Sequence, residues 1–112
     1  MKPNPVIKGS LNAIILKLVE EHGRMYGYEM TRAVRKLSDN RMQITEAALY
    51  PALHKLVEEE LLETTTESVN GRMRKYYTLS QKGKKEGNKR IAAIKEALDS
   101  VSLILNKKPS YG

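Results

Sequence analysis

Arg72, Arg74 and Lys75 lie in one short stretch beside an Asn70-Gly71 pair, with no acid among them. Cations grouped this way offer guanidinium and ammonium donors to a polyanion, and phosphate suits them best. Upstream, Tyr50, His54 and Lys55 fall on the outer face of a helix. These side chains can reach groove edges or phosphates: Tyr50 as a donor, Lys55 to guanine or phosphate, His54 as its proton allows. That chemistry is recognition, not bond making. His22 and His54 have no cysteine partners and no metal-ligand spacing. Glu58, Glu59 and Glu60 form a solvated run, and no Gly-rich phosphate loop follows a strand. No catalytic residue, metal site or cofactor is expected. Blander roles stay open: His54 as an ordinary surface histidine, Tyr50 as a half-buried spacer, the three cations as a solvated turn.

Positioning these residues takes three helices, a hairpin and a fourth helix. Ser10 is an N-cap type, and Leu11, Ile14, Ile15, Leu18 and Val19 follow at amphipathic spacing. Gly23 should end that helix with positive φ. A second helix is expected from about Gly27, burying Met30, Ala33, Val34 and Leu37, until Ser38-Asp39-Asn40 breaks it. The third starts at Thr45, with Leu49, Leu53, Leu56 and Val57 inward and Leu61 beyond. Pro51 falls inside it. An internal proline costs about 3 kcal/mol, so a distorted first turn is expected. Residues 62–67 and 73–79 read as strands joined at Asn70-Gly71, the strongest short hairpin signal. Alternation puts Tyr77 and Leu79 toward the core and Arg74, Tyr76 and Thr78 away from it. Ser80 caps the last helix, near whose start Gly83 and Gly87 permit close backbone approach. The order predicts a mainly α fold with a small β-hairpin: a winged helix-turn-helix plus a long C-terminal helix.

That last helix carries the clearest periodicity. Ile91, Ile94, Leu98, Val101 and Leu105 are spaced 3, 4, 3 and 4 apart, the a/d pattern of a coiled-coil seam, widened by Ala97 and Ile104. A homodimer is the natural cover for so long an apolar face; packing on the chain's own first helix is the other option. Residues 1–80 thus read as the winged domain with its N-terminal helix, 81–107 as a dimerisation helix and 108–112 as a flexible tail.

Composition sharpens the partner. At 112 residues the chain fits one domain, and with no cysteine it holds neither disulfides nor thiolate metal sites. Residues 1–71 hold 9 Lys+Arg against 10 Asp+Glu, whereas residues 72–112 hold 11 against 3. The net charge of +7 therefore sits in the hairpin and the last helix, which suggests nucleic acid, double-stranded DNA first. No apolar run approaches the ~20 residues of a membrane span. Pro3 and Pro5 follow Lys2 where a signal peptide would need an apolar stretch, so a cytoplasmic location and no membrane partner are expected.

Three blocks resemble the PadR family of bacterial transcriptional regulators: Tyr26-Gly27-Tyr28-Glu29-Met30, Leu49-Tyr50-Pro51-Ala52-Leu53-His54-Lys55-Leu56, and Gly71 through Gly83. The similarity spans about residues 10–90. It implies a dimeric winged-helix repressor of the compact branch with one C-terminal dimerisation helix, and it makes Pro51 part of a recognition-helix motif. Two positions depart from the pattern. Ala47-Ala48 replaces a frequent Gly-Thr, and Glu60 occupies a turn position where glycine is frequent and positive φ is expected. The resemblance also implies a cavity for a small apolar or aromatic effector between the dimerisation helices. Here Leu11, Ile14 and Ile15 with Ile94, Ala97 and Leu98 would line it; a closed core at that place is the alternative. Together these features predict a sequence-specific DNA-binding regulator on a roughly palindromic operator. A winged-helix protein-interaction module and a ligand-binding dimer without operator binding remain the rival readings.

Overall fold

The computed structural model describes residues 5–108. In chain order the elements are α1 (Pro5–His22), β1 (Arg24–Met25), α2 (Gly27–Leu37), α3 (Glu46–Glu58), β2 (Leu62–Val69), β3 (Arg72–Leu79) and α4 (Gln81–Asn106). The fold is mainly helical, with one antiparallel sheet in the order β1-β3-β2. From Pro109 onward the expected tail lies outside the described residues.

Helix α1 begins earlier than the capping pattern predicts. Ser10 is not its N-cap but a buried residue inside it. Pro5 suits the first helical position, because an N–H there would have no helical partner anyway. Leu11, Ile15, Leu18 and Val19 enter the core as expected, together with Leu16. Gly23 ends the helix at φ 83°, its N–H donating to the Val19 carbonyl at 2.9 Å.

Helix α2 buries Met30 and Val34, with Ala33 packed alongside. Leu37 does not join them: it is 69% exposed. The helix stops at this residue, and Asp39 and Asn40, both at positive φ, reverse the chain. The Asn40 and Asp39 N–H groups bond back to the carbonyls of Arg35 and Lys36, closing a Schellman turn. Ser38 Oγ then accepts the Met42 N–H at 2.9 Å, and the returning chain delivers Ile44 to the core.

Helix α3 starts where Thr45 Oγ1 accepts the Ala48 N–H at 3.2 Å, and it runs through Pro51. The proline leaves the Ala47 carbonyl without a helical donor, but Ala47 is exposed and water can serve it. Leu49, Leu53 and Leu56 are buried. The expected positive φ at Glu60 is present, at 63°, and the Glu60 and Leu61 N–H groups bond to the Val57 and Leu56 carbonyls, both at 2.9 Å. Leu61 is thereby turned into the core.

Asn70 and Gly71 have φ of 51° and 79°, as a two-residue hairpin turn requires, and pairing runs from Val69↔Arg72 to Leu62↔Leu79. The strands thus reach closer to the turn than the β-prone runs alone predict. Tyr77 is buried and Leu79 packs against the core. Tyr76, expected to face solvent, is buried as well, at 9% exposure. Strand β1, too short to show any periodicity, pairs with β3 through Arg24↔Thr78 and Met25↔Tyr77 and leads into the residues that cover it.

Helix α4 is capped by Ser80, whose Oγ accepts the Gly83 N–H at 2.9 Å. Both glycines mark close approach. A Cβ on Gly83 would strike the Leu61 carbonyl, and one on Gly87 would lie 3.3 Å from Leu16 Cβ. The first half of α4 thus packs on α1 and on the turn after α3, while Leu98, Val101, Leu103, Ile104 and Leu105 beyond it are exposed. No helix among the described residues is long and apolar enough to cross a membrane.

Candidate nucleic-acid interface

The inward leucines of α3 force Tyr50, His54 and Lys55 outward, and all three are exposed. Tyr50 is not free of the fold: its hydroxyl rests on Gly27, where a Cβ would come within 2.9 Å of it. The start of α2 therefore fixes the ring's direction while 48% of the residue stays open to solvent. His54 Nε2 lies 3.0 Å from Glu58 Oε1, one turn along the same face. Across from α3, the alternation of β3 aims Lys75 the same way as Tyr77. Tyr50, His54, Val57, Lys75 and Tyr77 surround an open cleft of about 280 Å³ between helix and hairpin. Burial pushes the Tyr77 phenol above its ordinary pKa of 10.0, and Tyr50 adds to the shift.

The six expected contact residues do not form one cluster. Tyr50, His54 and Lys75 share the cleft, Lys55 stands outside its lining, and Arg72 is exposed beside the hairpin turn. Arg74 lies on the opposite face of the hairpin, its guanidinium 4.1 Å from the centroid of the Tyr26 ring.

That second face holds a layered set of cations and rings. Arg24 lies 4.0 Å over the Tyr76 ring and reaches across β3 to Glu67 on β2, at 2.6 Å. Tyr26 meets Tyr76 edge to face at 5.6 Å, and Tyr28 stacks further out at 6.5 Å. Glu29 holds the start of α2 by accepting the Tyr26 N–H at 3.1 Å. The hydrogen bond from Arg24 holds the Glu67 carboxyl below the usual range and the Arg24 guanidinium above its own. Sequence reasoning assigned no site role to Arg24, Tyr26 or Tyr76. The available signal was the pair of tyrosines around Gly27 opposite the Arg74-Lys75-Tyr76-Tyr77 run, whose pairing needs the third strand to be seen.

The profile of the Transcriptional regulator PadR-like family matches residues 15–89, which spans α1 through the first part of α4. The chain belongs to this family. PadR-like proteins are DNA-binding transcriptional regulators and not enzymes. A transcriptional regulator from Clostridium thermocellum superposes with TM-score 0.82 at 28% identity, covering 93% of this chain and all of that one. A PadR-like transcriptional regulator from Bacillus cereus gives TM-score 0.77 at 25% identity over 94% of this chain and all of that one. An uncharacterised protein from Lysinibacillus sphaericus is 37% identical over 103 residues, 88% of this chain and 94% of its own. The membership accounts for the winged-helix fold.

In this PadR-like chain the two ends of the seam differ. Ile91 and Ile94 are half-buried, whereas Leu98, Val101 and Leu105 are 49%, 50% and 76% exposed. The residues suggested for an effector cavity are likewise divided. Leu11 and Ile15 are buried in the core and Ile14 packs against it, while Ala97 and Leu98 are exposed. An enclosed space that includes all six would need a second chain to complete its wall.

Proposed function

We propose that this regulator is a homodimeric repressor of a roughly palindromic operator. Residues 1–80 act as the reading domain and residues 81–107 as the dimerisation helix. The observation that carries the reading is the exposed α3 face of Tyr50, His54 and Lys55, with Lys75 across the cleft and Arg72 beside the hairpin turn, while Arg74 extends the basic surface onto the hairpin's other face. Helix α3 enters the major groove, where its first two turns meet base edges. The hairpin holds flanking phosphates and sets the register, a contact that carries affinity but no sequence information. Two copies joined along α4 place two α3 helices in successive major grooves, about one helical turn apart.

A small apolar or aromatic effector would act where Leu11, Ile14, Ile15, Ile94, Ala97 and Leu98 converge with the second chain. It would shift the separation of the two α3 helices only through different affinity for the two dimer arrangements. With no Trp or Phe in the chain, such a site favours compact ligands over large planar ones.

The test is binding of the purified protein to its own upstream intergenic DNA and to a scrambled duplex, across a salt series. The expected result is preference for the native fragment, with log affinity falling linearly against log salt. Equal weak binding to both fragments would reduce the hairpin to a generic basic surface and end the operator reading.

A further inference from the structure

Glu67 and Arg74 are direct cross-strand partners in the hairpin. Their side chains leave the same face of the sheet, and opposite residues of this kind have Cβ atoms about 5 Å apart, within easy reach of an ion pair. Yet Glu67 is bonded to Arg24, and Arg74 makes no ion pair among the described residues. Arg24 enters from β1, crosses above the Tyr76 ring and captures the carboxylate. Arg74 is left with the face of Tyr26 beneath it and a side-chain hydrogen bond to Tyr76, with no carboxylate bonded to it among the described residues.

We propose that Arg24 is a positioning residue that keeps Arg74 available: by holding Glu67, it stops the acid from capturing Arg74 and leaves that guanidinium, seated on Tyr26, to meet a DNA phosphate. The role of the phosphate rests on the operator reading above; the exchange of partners does not. An arginine seated on a ring loses less side-chain freedom when it meets a phosphate, so its fork is already aimed. Without Arg24, Glu67 would turn to its cross-strand neighbour and cancel that charge. The acid at position 67, at first sight unfavourable on a DNA-facing hairpin, is thereby neutralised from β1.

Two measurements on Arg24→Gln, Glu67→Gln and the double variant test this. The first needs no DNA. The Arg74 Nε–Hε resonance, which feels the Tyr26 ring current, should move in Arg24→Gln and return in the double variant. An unmoved resonance, or one that moves and does not return, would overturn the exchange. The second is the salt dependence of binding to the upstream duplex. Arg24→Gln should lower affinity and flatten the log–log slope by roughly 0.9, the loss of one phosphate contact. Glu67→Gln should restore the slope in that background while changing the wild type little. Equal effects of Glu67→Gln in both backgrounds would mean that Arg24 touches DNA itself, and would sink the proposed role. Failure of the wild-type protein to bind the duplex would instead count against the operator reading, with the resonance still deciding the exchange.

Discussion

Gly83 and Glu60 meet at one junction and make opposite demands on a side chain. An added Cβ at Gly83 would run into the Leu61 carbonyl, a backbone atom already held by Ser80, so the clash cannot relax by rotation of a side chain. Gly83→Ala should therefore cost ~3 kcal/mol or more, at the upper end of overpacking changes. Urea unfolding would show it as a lower midpoint, and a loss under ~1 kcal/mol would mean that α4 can shift away from the turn. Glu60 is the reverse case. It sits at φ 63° where only glycine avoids steric cost, and it carries the third negative charge of a row. Glu60→Gly relieves both, against the extra freedom that glycine gives the unfolded chain, for a net gain of about 1 kcal/mol. The expected outcome is a rise in Tm of roughly 4 °C, with no change in the hydrogen bonds of Leu61. That position is legible in the sequence, because the departure from the family pattern points to positive φ.

At the scale of elements, the end of α3 and the start of α4 are tied through side chains as well as packing. Arg90 on α4 reaches Glu59 at 3.1 Å and Glu86 at 3.2 Å, Lys82 Nζ donates to the Glu59 carbonyl at 3.2 Å, and Ser80 Oγ donates to the Glu60 carbonyl at 2.6 Å. Arg90 and Glu59 are only about one third exposed, so their pair is screened less than a fully solvated one. A double-mutant cycle of Arg90→Ala and Glu59→Ala should return a coupling near 1 kcal/mol, above the few tenths usual for exposed pairs. A coupling indistinguishable from zero would leave the junction to packing and Ser80 alone. Apart from Arg90–Glu86, four residues apart on one helix, these ties join residues distant in sequence and leave no local pattern to read. What was readable follows the same logic. The stripes of α2 and α3 repeat over several turns and name Met30, Val34, Leu49, Leu53 and Leu56 correctly. Strand β1 has two residues and no period, so the burial of Tyr76 and the cation–ring face it creates stayed hidden. Leu37 has the phase of a core residue, and only the reversal at Asp39 and Asn40 removes it from the core.

The whole molecule is extended, 69 Å along its longest axis, largely because α4 continues past the body that its first half packs against. The projecting half is apolar where it needs a reason to be: Leu98, Val101 and Leu105 continue the line of Ile91 and Ile94, and Ile104 flanks it, whereas Leu103 stands off this line. Each leucine moved fully from water contributes ~2 kcal/mol, so a paired seam of three to five such residues per chain can offset the cost of association. Because these side chains are exposed in the single chain, charging them should not disturb its fold. On the proposed dimer, Leu98→Asp combined with Leu105→Asp is therefore expected to leave the fold of the single chain intact, while sedimentation shifts from dimer to monomer. If that dimer reads an operator as proposed, its affinity should then fall by at least ~100-fold, since one reading helix loses the effective concentration that the second supplies. The hairpin cations proposed to meet phosphate are unchanged, so weak binding to unrelated duplexes should persist with about half the salt slope, as half the cations would remain on the DNA. A doubly charged variant that still sediments as a dimer would place the interface on another surface, and the line of apolar residues on α4 would then need a different partner.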